Sequence, residues 1–252
     1  MKLKSMLPYC GHKHAHPQLD ALAIETWDLS TGYPGDSRVA LTDVNMAVPA
    51  GTCVALVGHN GAGKSTLLKT AAGLLPVRSG EIRVLGHPLG HCHNRVVYLP
   101  QRSEIDWHFP INVRKLVMSG RYVHLGWLRH PGQEDRKIVD AAMDELDISG
   151  LAGRQISQLS GGQQQRVLLA RAVAQDADLF LLDEPLNAID VDTRVVVSRV
   201  LKDLRKAGKT VIVATHFIDR LATEYDGAVY LSEGRQVAPA AGGFVGMKIG
   251  KE

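Results

Sequence analysis

The sequence has few aromatic residues, few cysteines and little excess charge, and each shortage excludes a class of protein. Aromatic residues make up 5% of the 252 residues, and the three cysteines, Cys10, Cys53 and Cys92, lack the spacing of metal ligands. An odd and sparse set argues against a disulfide-built fold and suits a reducing compartment. The formal net charge is +3, from 29 basic and 26 acidic residues. Like charges form no block of about five, so we expect no nucleic-acid partner.

Long apolar runs are also missing. No stretch approaches the roughly 18–20 consecutive apolar residues that a membrane-spanning helix requires. The N-terminus is basic, but its apolar part ends at Pro8, which is too short for the apolar region of a signal peptide. We therefore expect a chain that stays inside the cell and meets a membrane only through a partner.

The most informative segment is the glycine-rich stretch at residues 58–66, which matches the pattern G-x-x-x-x-G-K-[ST]. An apolar run at residues 54–57 reads as a buried strand before it, and residues 65–75 read as a helix after it. Glycines let the backbone turn its N–H groups towards a phosphate chain, and the helix N-terminus adds a positive dipole end. This order indicates a nucleoside triphosphate site. The expected contacts are Gly58, Asn60, Gly61, Ala62, Gly63, Lys64, Ser65 and Thr66.

Two carboxylates complete the chemistry that this loop requires. Asp183 and Glu184 follow the apolar run at residues 179–182, at the end of a strand where α/β sheets bind ligands. Lys64 is expected to contact the β- and γ-phosphates, and the Ser65 hydroxyl and Asp183 to hold Mg²⁺. Glu184 is then available as the general base that activates water. A plain helix cap is the alternative, and the apolar lead-in argues against it.

A second anion site is predicted far along the chain, at residues 159–163. Ser160 and Gln163 have the S-x-x-Q spacing of a capping box, and the first helical turn that they open contains Gly161 and Gly162. Exposed backbone N–H groups and a helix dipole end suit an anion. Because one triphosphate does not explain two such sites in one chain, we expect the second to serve the nucleotide of another subunit.

The remaining sequence alternates between strand and helix patterns. Continuous apolar strands between helices after residue 162 predict a parallel sheet that is covered on both faces. Between residues 102 and 162 strand signals disappear and helical periodicity replaces them. Four aromatic residues concentrate there, and they either pack a small helical core or form a docking surface for another protein. They are Trp107, Phe109, Tyr122 and Trp127.

Histidines suggest a separate, regulatory hypothesis. The first 20 residues read as a flexible extension in which His12, His14 and His16 alternate. Alternate residues of an extended segment share a face and could hold a transition metal, as could the run at residues 91–93. An inconsequential polar tail is the alternative.

Together these motifs resemble the ATPase subunit of ABC transporters, over roughly residues 24–237. The resemblance implies an α/β fold: a P-loop NTPase (RecA-like) core with an N-terminal antiparallel β subdomain and an inserted α-helical subdomain at about residues 103–162. One ATPase domain would span residues 21–240, followed by a glycine-rich tail at 241–252.

The resemblance also implies a mechanism and further site residues. Two copies would form a head-to-tail dimer, with each ATP between the 58–66 loop of one copy and Ser160 to Gln163 of the other. Gln101 matches the glutamine that meets Mg²⁺ and the attacking water, and His216 matches the histidine that contacts the γ-phosphate. Asp190 matches the aspartate at the dimer seam. Tyr33 matches the aromatic residue that stacks on adenine.

A narrower resemblance, to the manganese/zinc importer branch, rests on residues 100–110, 120–122 and 125–128. It implies permease subunits at the cytoplasmic face of the cell membrane and, indirectly, a metal-binding extracytoplasmic solute-binding protein. The segment 186–190 and the pair His216-Phe217 depart from the usual pattern, which leaves the transported ion open. Coupling to another solute transporter, or a soluble ABC ATPase acting on nucleic acid or ribosomes, are the alternatives.

Overall fold

A computed structural model of the chain describes residues 16–18, 20–125, 129–217 and 221–238. The expectations for residues 1–15 and for the tail at 241–252 lie outside these ranges. The described strands are β1 (Ile24–Thr31), β2 (Leu41–Val48), β3 (Cys53–Val57), β4 (Val77–Val84), β5 (His87–Pro88), β6 (Val96–Leu99), β7 (Leu179–Asp183), β8 (Thr210–Thr215), β9 (Gly227–Ser232) and β10 (Arg235–Val237). The described helices are α1 (Lys64–Ala71), α2 (Val113–Met118), α3 (Tyr122–Leu125), α4 (Gln133–Glu145), α5 (Gly161–Ala174), α6 (Val191–Lys206) and α7 (Leu221–Glu224).

The strands form two sheets. The larger has the order β10-β9-β3-β8-β7-β6 and is parallel except for the β9–β10 hairpin. Every residue of β3, β7 and β8 is buried, which explains why these strands read as unbroken apolar runs. The smaller sheet, β2-β1-β4-β5, is antiparallel. The predicted α/β fold, with an antiparallel sheet beside the parallel one, is confirmed.

The parallel sheet separates two apolar cores. In β7, Phe180 and Leu182 face the core formed with α2, α4, α5 and α6. Leu179 and Leu181 face the other core, which includes Leu67 of α1 and residues of the antiparallel sheet. Successive strand side chains point to opposite faces, so one strand anchors both layers and holds its C-terminal residue in a fixed place.

The region from Arg102 to Gly162 contains short helices and connecting turns. Asn112 caps α2 by accepting a hydrogen bond from the Lys115 N–H at 2.9 Å, and both α2 and α4 pack on α5. Within the described part of this region, ladder pairing is limited to a single bridge between Asn112 and Gln155. The helical interpretation of this segment therefore agrees with the structure.

The clustered aromatic residues divide between the two alternatives. Trp107 packs against the core and donates from Nε1 to the Arg102 carbonyl at 2.9 Å. Phe109 and Tyr122 are instead 58% and 56% exposed. Trp127 lies outside the described residues. One aromatic residue thus serves the core, and two remain at the surface.

The described end of the N-terminal extension contacts the β4–β5 region. The Gln18 N–H donates to the Leu85 carbonyl at 3.2 Å, and Arg95 Nη2 lies 2.8 Å from His16 Nδ1. Cys92 is buried, and the described residues contain no group of three or more His, Cys, Asp or Glu that could hold a metal ion. His12 and His14 lie outside the described residues. No helix in the described ranges is long and apolar enough to cross a membrane.

Candidate functional site

The predicted catalytic residues meet at one edge of the parallel sheet. Carboxyl ends of parallel strands share an edge, and loops that leave it form the usual ligand site. The strands and the residues at or just beyond their ends are β3 with Gly58, β6 with Gln101, β7 with Asp183 and Glu184, and β8 with His216.

Glycine is required at two points of the loop between β3 and α1. Gly63 directly precedes α1 and has φ 102°, and a Cβ there would lie 2.4 Å from Leu41 Cδ2. A Cβ at Gly58 would lie 2.5 Å from the Leu231 carbonyl oxygen. Since real Cβ atoms do not approach other atoms so closely, a larger residue at either position would require its neighbours to move. A glycine-rich loop of this kind can turn its N–H groups inward, which is the arrangement that suits an anion.

Lys64 is held in place by the loop that it follows. Its Nζ donates to the carbonyls of Gly58 at 2.8 Å and His59 at 3.1 Å, and lies 3.5 Å from Glu184 Oε1. The side chains of Lys64 and Glu184 are 5% and 8% exposed. A buried ammonium oriented in this way provides a fixed positive charge beside the loop.

Asp183 is the fully buried carboxylate of the site. Tyr98 Oη donates to its Oδ2 at 3.2 Å, Gln101 Nε2 lies 3.4 Å from its Oδ1, and Ser65 also hydrogen-bonds it. Burial raises the pKa of Asp183, while these hydrogen bonds oppose the rise. Burial, with Asp183 beside it, also raises the pKa of Tyr98. The groups that hydrogen-bond the carboxylate are neutral, and the oxygens of Ser65, Gln101 and Asp183 are the hard donors that Mg²⁺ prefers. The residues present therefore fit this cation.

Glu184 occupies a strained turn directly after β7. Its φ is 50°, a left-handed conformation that a side-chain-bearing residue adopts at a cost of about 1–2 kcal/mol. Asn187 Nδ2 donates to Glu184 Oε2 at 2.9 Å, and His216 Nδ1 lies 3.9 Å from Oε1. The carboxylate lies 3.5 Å from Lys64 Nζ. A carboxylate held in this way can orient a water molecule and accept its proton.

An open cavity of about 740 Å³ lies above these residues. Its size is that of a typical small-molecule site. Tyr33 stands at one end, 41% exposed, with its hydroxyl 3.5 Å from Thr66 Oγ1. The β9–β10 turn closes another side, where the Gly234 N–H donates to the Ala62 carbonyl at 3.1 Å. The lining residues are Tyr33, Asp36, Arg38, Val39, Ala40, Asn60, Gly61, Gly63, Lys64, Ser65, Thr66, Gln101, Glu184, Asn187, Glu233 and Gly234.

The residues predicted to form a second anion site lie at the start of a separate helix, α5. Ser160 Oγ accepts from the Gln163 N–H at 3.3 Å, and Gln163 Oε1 accepts from the Ser160 N–H at 3.0 Å. This reciprocal pair is the predicted capping box of α5. Asp190 caps α6 and lies against Gly162 of this turn. The described residues that line the cavity include none of the residues predicted for the second site. They are Ser160, Gly161, Gly162, Gln163 and Asp190.

Several residues of the site were missed by sequence reasoning. Tyr98 lies in β6, three residues before Gln101, and Asn187 lies three residues after Glu184. Their spacing from predicted site residues was the available signal. Glu233 and Gly234 reach the cavity only because the last hairpin folds back on the loop, and no local pattern indicates that contact.

Comparison with known proteins matches residues 41–187, more than half of the chain, to the family model described as "ABC transporter". The chain belongs to this family. It is accordingly an ATP-binding subunit of the kind that hydrolyses ATP to power transport.

Relatives in this family extend the match. The chain is 44% identical over 212 residues to the zinc transport system ATP-binding protein TroB of Treponema pallidum (strain Nichols), covering 84% of this chain and 79% of TroB. It is 40% identical over 196 residues to the manganese transport system ATP-binding protein MntB of Listeria monocytogenes serovar 1/2a, covering 78% of this chain and 82% of MntB. Among solved structures, a metal-chelate type ABC transporter in an inward-facing conformation is 29% identical with a TM-score of 0.74, covering 86% of this chain and 82% of that one.

Proposed function

We propose that this chain is the ATP-hydrolysing subunit of an importer for manganese or zinc ions, and that two copies act as a head-to-tail dimer. The relatives' names support the cargo, because they are zinc and manganese transport systems. The observation that carries the mechanism is the division of the site. The cavity beside Lys64 is lined by the glycine-rich loop and Glu184, while the α5 turn at Ser160 is not part of its lining. A second copy supplies the missing side.

The residues around the cavity divide the chemistry of ATP hydrolysis among them. Lys64 and the N–H groups of the loop bind the β- and γ-phosphates. Ser65, Gln101 and Asp183 would hold Mg²⁺, which neutralises phosphate charge when it is bound. Glu184 orients the attacking water and accepts its proton.

Two further residues place the nucleotide. His216, beside Glu184, supplies the contact to the γ-phosphate, and Tyr33 provides a flat face for adenine. From the partner copy, the Ser160-to-Gln163 turn directs its N–H groups and helix dipole at the same phosphate. Asp190 lies at the seam. Closure of the two halves on ATP, and reopening after hydrolysis, is a nucleotide-driven switch.

The partners are permease subunits that the chain meets at the cytoplasmic face of the membrane. The exposed rings of Phe109 and Tyr122, on the helical subdomain at about residues 103–162, supply aromatic contact area of the kind that interfaces use. The proposed site residues serve ATP and Mg²⁺ rather than the transported ion, so selection of Mn²⁺ or Zn²⁺ belongs to the permease and to an extracytoplasmic solute-binding protein. The ATPase domain itself spans residues 21–240.

The test is Glu184→Gln, compared with Glu81→Gln as a matched control on an exposed strand. We expect Glu184→Gln to retain ATP binding but to lower turnover about 10²- to 10⁴-fold, and to form a dimer with ATP and Mg²⁺ that size-exclusion chromatography resolves. Glu81→Gln should behave as the parent. With permease in proteoliposomes, ATP-dependent uptake of Mn²⁺ or Zn²⁺ should follow turnover. Hydrolysis by Glu184→Gln at the parental rate would show that the base assignment is wrong.

A further inference from the structure

The two glycines at the start of α5 each lie against a different segment of the same chain. A Cβ at Gly161 would lie 2.0 Å from Arg102 Nη1, which is the far end of a flexible side chain. A Cβ at Gly162 would lie 2.3 Å from Asp190 Oδ2 and 2.4 Å from Thr193 Oγ1. The second contact is the more rigid one, because Thr193 is only 2% exposed and belongs to the first turn of α6.

Thr193 holds both oxygens of the Asp190 carboxylate. Its N–H donates to Oδ1 at 2.8 Å, and its hydroxyl donates to Oδ2 at 3.0 Å. Arg166 of α5 donates from Nε to the same hydroxyl oxygen at 3.3 Å. The hydroxyl therefore has one donor and one acceptor partner, which fixes its hydrogen towards Asp190.

The hydroxyl bond is more than a helix cap requires. A capping aspartate needs only one oxygen on a backbone N–H of the first turn, and the bond from the Thr193 N–H to Oδ1 supplies that. The added bond fixes the rotation of the carboxylate and holds Oδ2 against Gly162. Arg166, in the second turn of α5, extends the link back into that helix. The start of α6 is thereby joined to the N-terminal half of α5.

We propose that Thr193 is a positioning residue of the ATPase cycle, whose hydroxyl, oriented by Arg166, fixes Asp190 against Gly162 so that the α5 turn and the Asp190 segment present one rigid surface to a second copy of this chain. This inference rests on the proposed head-to-tail dimer. The new element is that the α5 turn and the Asp190 segment are already held in their dimer-forming arrangement within each monomer. Pre-organisation lowers the ordering cost of association, so its loss weakens dimerisation rather than binding of ATP to the loop.

The experiment uses two substitutions at one position. Thr193→Val keeps the shape of the side chain and removes the hydroxyl, whereas Thr193→Ser keeps the hydroxyl. Thr26→Val is the matched control. Thr26 is 3% exposed, and its hydroxyl also makes two hydrogen bonds, to the Val44 carbonyl and from the Met46 N–H, both at 2.9 Å. Each valine variant loses two hydrogen bonds of a threonine hydroxyl, in different parts of the fold.

We expect Thr193→Val to lower kcat about tenfold, since one or two lost hydrogen bonds correspond to roughly a tenfold change in rate. The affinity of the monomer for a fluorescent ATP analogue should stay within about twofold of the parent value. In a Glu184→Gln background the Kd of the ATP-dependent dimer should rise by a similar factor. Thr193→Ser should restore both values. Thr26→Val should lower the unfolding midpoint without changing kcat or the dimer Kd.

Two outcomes separate this inference from the function on which it rests. If Glu184→Gln alone forms no dimer with ATP, the proposed dimer is wrong. If it does, and the Thr193→Val version dimerises equally well, the positioning role is wrong. Should Thr193→Val not fold, Arg166→Met replaces it, because that change leaves both bonds of the Asp190 cap in place. Parental kcat and dimer Kd in Arg166→Met would overturn the orientation of the hydroxyl by Arg166.

Discussion

A methyl group added at Gly63 should destabilise the chain more than one added at Gly61, although both glycines belong to the same loop and both have positive φ. The angles are 102° at Gly63 and 82° at Gly61. A Cβ at Gly61 has no atom within 4 Å, whereas a Cβ at Gly63 lies 2.4 Å from Leu41 Cδ2. The pair therefore separates backbone strain from steric overlap.

The magnitudes follow from these two terms. Alanine in a left-handed conformation costs about 1–2 kcal/mol, which is the whole expected effect of Gly61→Ala. Gly63→Ala adds overlap with Leu41, a fully buried side chain, and overpacking of a filled core costs typically about 1–3 kcal/mol more. We therefore expect about 2–5 kcal/mol for Gly63→Ala, from the sum of these terms.

Equilibrium unfolding in urea measures both variants, and a double-mutant cycle tests the cause. Leu41→Val removes the δ-carbons that the new methyl group would meet, so Gly63→Ala should cost about 1–3 kcal/mol less in the Leu41→Val background than in the parent. Equal destabilisation by Gly61→Ala and Gly63→Ala, or additive behaviour with Leu41→Val, would refute the steric reasoning.

Three further predictions concern other parts of the chain. Asp135→Asn should lower the free energy of unfolding by about 1–3 kcal/mol at neutral pH. The Gly132 N–H, and then Arg121, hold the pKa of the Asp135 carboxyl below its ordinary 3.8. The stability difference between parent and variant should therefore persist above pH 3.8 and shrink as the pH falls below it, which urea titrations at several pH values will show. Burial raises the pKa of Cys53 to about 12, so at pH 8 its thiol should react with a disulfide reagent only when the chain unfolds. Tyr33→Ala should raise the Kd for ATP about tenfold and Tyr33→Phe less than about twofold, because stacking needs the ring and not the hydroxyl; fluorescence titration checks this.

Local patterns predicted the elements well where burial and periodicity agree. The strands expected at the apolar runs 54–57 and 179–182 are observed as β3 (Cys53–Val57) and β7 (Leu179–Asp183). Both are short, apolar and bounded by polar turns, so packing and local preference favour the same state. The helix expected at residues 65–75 instead ends at Ala71, because Gly73 takes a positive φ and stops it.

Contacts between segments that are distant in the chain could not be predicted from local sequence patterns. Tyr98 reaches Asp183 because β6 pairs with β7 in parallel register, and such a pairing leaves no trace in either strand alone. The same holds for Thr193, which reads as an ordinary polar residue of a helix start until α5 is placed beside it. Local motifs therefore supplied the proposed reacting groups, while the residues that contact those groups could be found only from the tertiary structure.

The turn between β9 and β10 has a consequence for how the protein is made. Gly234 donates to the Ala62 carbonyl, and its own carbonyl accepts from the Thr42 N–H at 2.8 Å, so residues near the end of the chain complete a loop encoded near its beginning. During synthesis Ala62 is translated some 170 residues before Gly234, and N-terminal segments begin folding before later ones appear. A nascent chain arrested before residue 234 leaves the exit tunnel should thus hold ATP poorly. We therefore expect nucleotide binding to depend on the completed β9–β10 hairpin.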